Sequence, residues 1–268
     1  MKLKFCQIAV AFTFIVSSYA NAGVALIWGD APFGLSQTNM NNFYNSLSGD
    51  SSSIATGPLN TVNLTGVNLL WATQPVNAYT SAELNTMSNF LSGGGRIAFM
   101  GEHGQIAPTE NSNINTALSF LGSSISIFFN QVLDGGFRTA TVGNGQILSN
   151  ALTAGVNSYT YAAFAPLSIG SGAQALMLGQ ESFLGNPSVM MGYQNIGPGS
   201  IFLITDQNVW DGETSNWPGF DNGQMFANLL SASTGAPPVN GSVPESTSLT
   251  LLGIGLAGFG AMRRRKTA

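Results

Sequence analysis

His103 is the only histidine in the chain, and it stands beside a carboxylate in the turn Gly101-Glu102-His103-Gly104. An imidazole next to a carboxylate suits general acid–base work, because it titrates near neutral pH and the carboxylate can orient it. Asp30 and Asp206 join this set, since each follows an apolar run that reads as a strand. All four then fall at strand ends on one edge of a sheet, where open α/β sheets bind ligands. Glu102, His103, Asp30 and Asp206 are therefore the candidate catalytic residues of an extracellular hydrolase. It would use two carboxylates, such as Glu102 with Asp206, or the Glu102–His103 corner. The same residue types also have ordinary uses: a lone loop histidine hydrogen-bonds, and carboxylates after strands cap helices and organise loops. The residues leave both readings open.

A second polar stretch runs from Asp206 to Asn222. Asp206, Asn208, Asp211, Glu213 and Asp221 offer the hard oxygen ligands that calcium accepts, so Ca2+ is the one cofactor the sequence suggests. The spacing is not that of an EF-hand, whose twelfth-position glutamate is missing. More simply, Asp221 caps the following helix and Asp206 organises its loop. Trp210 and Trp217, with Asn208 beside them, suggest a sugar-binding face; tryptophans pinning a long loop are the alternative. Other motifs carry less. Gly93-Gly94-Gly95 precedes a strand and is a helix stop, and Gly143-x-Gly145 lacks both the lysine and the strand–turn–helix context of a phosphate loop.

These residues need elements to hold them. Val24 to Trp28 reads as a central strand ending in Gly29-Asp30. Ser36 caps a helix to about Leu47, with Met40, Phe43, Tyr44 and Leu47 on one face. Val67 to Ala72 is a second strand. Thr80 and Glu83 form a capping box for a helix with Leu84, Met87 and Leu91 inward, and Ile97 to Met100 is the next strand. Strand, helix, glycine stop and strand across 67–100 make a βαβ unit. Asn111 to Leu121 reads as a helix. Residues 122–172 read as a β-rich insertion or an edge region of β-hairpins: Ile125 to Phe129, Phe137 to Val142, Gln146 to Leu152 and Tyr159 to Phe164 are short pieces joined by glycines. Ala175 to Leu178 pairs with Val189 to Tyr193, Ser200 to Asp206 is a late strand, and Asp221-Asn222 opens a last helix.

This order resembles the class I glutamine-amidotransferase-like fold, a flavodoxin-like α/β domain with a doubly wound, mostly parallel sheet. The resemblance rests on three stretches: 67–97, the turn Gly101-Glu102-His103-Gly104, and the closing Ile204-Thr205-Asp206 strand with its acidic loop and Asp221-Asn222 helix. It implies a nucleophilic cysteine at the turn after the strand ending near Met100. Glu102 stands nearest that position and no Cys or Ser replaces it, so the family's Cys-His-Glu chemistry is absent. Fold similarity transfers no activity by itself.

The termini suggest how the chain is handled. Lys2 and Lys4, the apolar run Ile8 to Val16 and Ala20-Asn21-Ala22 read as a signal peptide over 1–22. Its removal takes away Cys6, the single cysteine, leaving no disulfide and no thiol nucleophile. The domain spans 23–232, and 233–242 is a flexible linker rich in Ser, Gly and Pro. Val243-Pro244-Glu245-Ser246, the apolar run Leu249 to Met262 and Arg263-Arg264-Arg265-Lys266 over 243–268 resemble the PEP-CTERM sorting signal of Gram-negative bacteria. That resemblance implies a short transmembrane segment, processing by an exosortase-type enzyme, and association with exopolysaccharide and biofilm matrix. The chain is then exported across the inner membrane, anchored there before processing, and left on the outer surface or outside the cell. Of 8 Lys and Arg and 12 Asp and Glu in the chain, only Arg96 and Arg138 fall in the domain, against all the acidic residues but Glu245. That balance excludes a nucleic-acid partner. The expectation is an envelope-associated binding or structural domain without amidotransferase chemistry, with the Glu102–His103 hydrolase as its alternative.

Overall fold

The computed structural model describes residues 22–210 and 219–231. In chain order the strands are β1 (Val24–Gly29), β2 (Ser51–Ile54), β3 (Leu69–Thr73), β4 (Arg96–Met100), β5 (Ile125–Ile127), β6 (Arg138–Thr141), β7 (Ser158–Tyr161), β8 (Leu167–Ile169), β9 (Ala173–Phe183), β10 (Asn186–Ile196) and β11 (Gly199–Ile204). The helices are α1 (Gln37–Ser46), α2 (Ser81–Ser92), α3 (Pro108–Phe120) and α4 (Asn222–Ser231). Nine strands form one sheet in the order β2-β1-β3-β4-β11-β10-β8-β5, with β9 also paired to β10, while β6 and β7 make a separate pair.

The parallel half runs from β2 to β11. Within it β1, β3, β4 and β11 are apolar along their length because both faces are covered. Ala25, Ile27, Trp71, Ala98, Met100, Phe202 and Ile204 face one core, which receives Met40 and Tyr44 of α1 and Met225, Phe226 and Leu229 of α4. Leu26, Trp28, Leu70, Ala72, Ile97, Phe99, Ile201 and Leu203 face the other, which receives Leu84, Met87 and Leu91 of α2 and Ile114, Ala117 and Leu118 of α3. The result is a three-layer α/β arrangement with helices on both faces.

Local signals set the helix ends. Ser36 Oγ accepts a bond from Asn39 N at 3.1 Å, and the Thr80–Glu83 capping box forms in both directions. Gly94 ends α2 with φ 88, a conformation that costs glycine little.

The structure departs from the sequence-based expectation in four ways. β2, with three serines in four residues, carries no apolar alternation and is held by parallel pairing to β1. The helix expected from Asn111 starts at Pro108, whose missing N–H suits the first helical turn. In the 122–172 region β5 and β8 form the edge of the main sheet, as the edge-region alternative has it, but Gln146–Leu152 contributes a single bridge at Ile147 rather than a strand. The sheet is parallel across five strands only; β10 runs antiparallel to β11, β8 and β9, and β5 antiparallel to β8. The β9–β10 hairpin turns at Leu184 and Gly185, both at positive φ, which fits a tight two-residue turn.

One expectation is overturned. Among the described residues no helix is long and apolar enough to cross a membrane, which corrects the expected transmembrane helix and the membrane-protein description built on it. The segments that carried that description (1–21, the linker and 243–268) lie outside the described residues.

Gly29 closes β1 at φ 120, and a Cβ there would stand 2.3 Å from the Thr73 carbonyl oxygen and 2.8 Å from its nitrogen. Gly29→Ala is expected to cost about 3 kcal/mol or more. Gly34→Ala has a similar backbone problem but nothing within 4 Å, and should cost about 1 kcal/mol. Urea unfolding of both variants checks the difference; equal losses would remove the packing argument.

Candidate functional site

The carboxyl ends of the parallel strands carry every catalytic residue expected from the sequence, but sort them into two groups. Gly101 leaves β4 by donating its N–H to the Ile204 carbonyl at 2.8 Å. Glu102 follows and is fully buried. Its Oε1 accepts the His103 N–H at 2.7 Å and its Oε2 accepts the Gln207 N–H at 2.8 Å. Asn111 of α3 grips its main chain, accepting the Glu102 N–H on Oδ1 at 3.1 Å and donating from Nδ2 to the Glu102 carbonyl. The carboxylate thus ties the end of β4 to the end of β11 through charge-assisted bonds to backbone amides.

His103 adds little to this carboxylate. Its Nε2 lies 3.7 Å from Glu102 Oε1, too far for a hydrogen bond, and its Nδ1 is buried without a partner. Burial lowers the imidazole's pKa from its ordinary value, so the ring is neutral at neutral pH. Asp206, also fully buried, accepts the Ala162 N–H on Oδ2 at 2.7 Å and the Asn208 N–H on Oδ1 at 2.9 Å. Both candidate carboxylates therefore have each oxygen turned to the main chain.

Two residues that the sequence did not single out complete this closed half. Gln207 Oε1 accepts from Gln74 Nε2 at 2.5 Å, and Gln207 Nε2 donates to the Phe33 carbonyl. Gln74 is buried with φ 29, outside the usual range for a side-chain-bearing residue. Glutamines in loops give no sequence signal of such pairing, which brings together positions 133 residues apart.

Asp30 belongs elsewhere. It is exposed, and its Oδ2 accepts the Val76 N–H at 3.0 Å. It lines a cavity of about 430 Å³ at the carboxyl ends of β1, β2 and β3, together with Trp28, Gln37, Asn77, Tyr79 and Glu83.

The loop after Asp206 corrects the sugar-platform expectation. Trp210 is 1% exposed. Its ring packs on Phe226 with centroids 4.4 Å apart and on Phe43 at 5.5 Å, because α1 and α4 close over it. Trp217, Asp211 and Glu213 lie outside the described residues. Asp221 does not cap α4 with its side chain as expected: Oδ2 accepts the Asn157 and Ser158 N–H groups at 2.8 and 3.1 Å. Of the suggested calcium ligands, Asp206 and Asp221 thus have carboxylate oxygens engaged by amides. Among the described residues no group of three or more His, Cys, Asp or Glu is placed to hold a metal ion.

No family model matches this chain, and no curated protein does; the signal-peptide and sorting-signal readings gain nothing from either comparison. Solved structures do match. The mmIFT52 N-terminal domain superposes with TM-score 0.61 at 15% identity, covering 78% of this chain and 98% of that one. A cytoplasmic protein from Salmonella typhimurium gives TM-score 0.52 at 9% identity, over 78% and 97%. A β-galactosidase from Bacillus circulans sp. alkalophilus gives 0.50 at 10% identity, and the matched region is 31% of that enzyme, so the chain spans about a third of its length. At such identities the likeness is one of fold alone: the chain is similar to these α/β domains in architecture.

Removing the Glu102 carboxylate leaves two buried amides without acceptors, at roughly 1–3 kcal/mol each. Glu102→Ala is expected to lower stability by about 2–5 kcal/mol, read from thermal and urea unfolding. Glu102→Gln should not rescue it, because one amide would then face an NH2 donor. A carboxylate kept for catalysis would give the opposite sign, with stability rising on its removal. For His103 the folded pKa lies below the unfolded value near 6.5. The unfolded chain then binds more protons, so stability is present above about pH 6.5 and falls as the pH drops below it. Melting curves between pH 7.5 and 5 should show that loss, and His103→Gln should flatten it.

Proposed function

We propose that this chain is a flavodoxin-like binding domain without amidotransferase chemistry, whose ligand is a neutral carbohydrate polymer of the exopolysaccharide kind. The observation that carries the reading is the closure of Glu102 at the turn where the amidotransferase-like fold would hold its nucleophile. Both its oxygens accept main-chain amides, and no thiol stands there. The same commitment, with the 3.7 Å gap to His103, argues against the hydrolase alternative. Support for the flavodoxin-like part comes from the parallel strands: β2-β1-β3-β4-β11 follows the order 2-1-3-4-5 of that architecture. Support for a neutral polymer comes from charge. The domain carries two arginines against its many carboxylates, so an anionic chain would be repelled while an uncharged one can be met by Asn, Ser, Thr and Gln.

Native affinity electrophoresis of the full chain tests this. Retardation is expected in gels containing a neutral polysaccharide such as dextran or galactomannan, and none in alginate gels. No hydrolysis of glutamine or of nitrophenyl glycosides is expected. Turnover that disappears in Glu102→Gln while the protein stays folded would overturn the reading.

A further inference from the structure

We propose that the cavity at the ends of β1 and β3 is a binding site for an uncharged sugar unit, held by the exposed side chains of Asp30 and Asn77 beside the rings of Trp28 and Tyr79. The proposal rests on the carbohydrate-binding reading above and gives it a location.

Strand order reverses at β1, with β2 on one side and β3 on the other, and a crevice opens at such a point in an α/β sheet. The loops there are laced together: Asp30 N donates to the Thr73 carbonyl at 3.0 Å, and Thr73 Oγ1 donates to the Asp30 carbonyl at 2.7 Å. Gln37 of α1 fixes the near wall, donating from Nε2 to the Gly29 carbonyl and to Thr73 Oγ1. Trp28 is pinned by its indole N–H, which donates to the Gly57 carbonyl at 2.8 Å. Tyr79 stacks on it with centroids 5.8 Å apart. The walls are thus prearranged, and the volume of about 430 Å³ lies in the range of small-molecule sites.

The lining selects the ligand class. No Lys, Arg or His is among the described residues that line it, so a phosphate or carboxylate would have nothing to pair with. A cation would find a single free carboxylate oxygen, that of Asp30. Glu83 accepts the Leu59 N–H at 3.3 Å and both Thr80 donors at 2.9 and 2.8 Å, while one Asp30 oxygen accepts the Val76 N–H. What remains is a mixture: a second Asp30 oxygen as acceptor and the Asn77 amide, exposed and with donor and acceptor atoms that make no hydrogen bond among the described residues, beside the Trp28 and Tyr79 rings. Mixed donors and acceptors beside aromatic rings match the hydroxyls and C–H faces of a sugar.

The test uses the full chain labelled with 15N, following the Trp28 indole cross-peak, identified by its NOE to Tyr79. The probes are methyl glycosides of glucose, galactose, mannose and N-acetylglucosamine, with inorganic phosphate and tetramethylammonium as controls. A saturable shift with at least one glycoside, and none with phosphate, is expected. Asn77→Ala removes an exposed amide that makes no hydrogen bond among the described residues, so it should keep the melting temperature and weaken binding about five- to tenfold, the loss of one hydrogen bond. A shift with tetramethylammonium and no glycoside would overturn the sugar assignment in favour of a cation site. No shift with any probe, while the chain is still retarded by polysaccharide, would overturn the cavity assignment and leave the domain reading standing. No shift and no retardation would remove both.

Discussion

A buried carboxylate must be satisfied, and in this domain the cations that could do so are elsewhere. Arg96 is buried at the amino end of β4, where its Nε donates to Ser200 Oγ at 3.1 Å and its Nη1 to the Leu229 carbonyl near the end of α4. Burial pulls its pKa down to about 10. Arg138 lies on β6. Glu102, Asp134 and Asp206, each fully buried, therefore turn to main-chain N–H groups. Asp134 accepts from Gln180 N, Glu181 N and the Tyr161 hydroxyl in the insertion, just as Glu102 and Asp206 accept at the sheet edge. Such bonds are strong because the acceptor is charged. They also fix geometry, since backbone amides cannot swing away as a lysine can.

That constraint divides the carboxyl edge of the sheet. Over β4 and β11 the carboxylates, Asn111 and the Gln74–Gln207 pair are committed to one another and to the main chain. Over β1 and β3 nothing comparable closes the edge among the described residues. Gly29 lets β1 approach Thr73, Asp30 is exposed, and Trp28 and Tyr79 stand beside open volume. The proposed binding role rests on this division: carboxylates held by amides over β4 and β11, and one strand away an accessible recess with no Lys, Arg or His among the described residues that line it.

The parts legible in the sequence were those fixed by local physics. The Ser36 and Thr80 caps, the glycine stop before Arg96, and the apolar strands β1, β3, β4 and β11 all sit where residue type and spacing put them. The parts that were not legible depend on distant partners. β2 has no apolar pattern because its side chains are largely exposed at the edge of the sheet. For Trp210 the sequence left a sugar-stacking ring and a ring pinning the loop both open, and only the enclosure by Phe43, Trp71 and Phe226 from three other elements decides for the second. Glu102 and His103, adjacent in sequence, looked like an acid–base pair; the fold turned the carboxylate to Gln207, 105 residues on. The cavity draws on residues 55–58 and 75–79, loops whose sequences carry no motif.

The central claim is that Glu102 is a structural tie between β4 and β11, not a working acid. Native-state hydrogen exchange of the His103 and Gln207 backbone amides tests it most directly. Both should exchange as slowly as the core amides of β4 and β11, opening only with global unfolding. Exchange of either within the time of exposed loop amides would contradict the claim, because it would mean that the carboxylate is released in the native state.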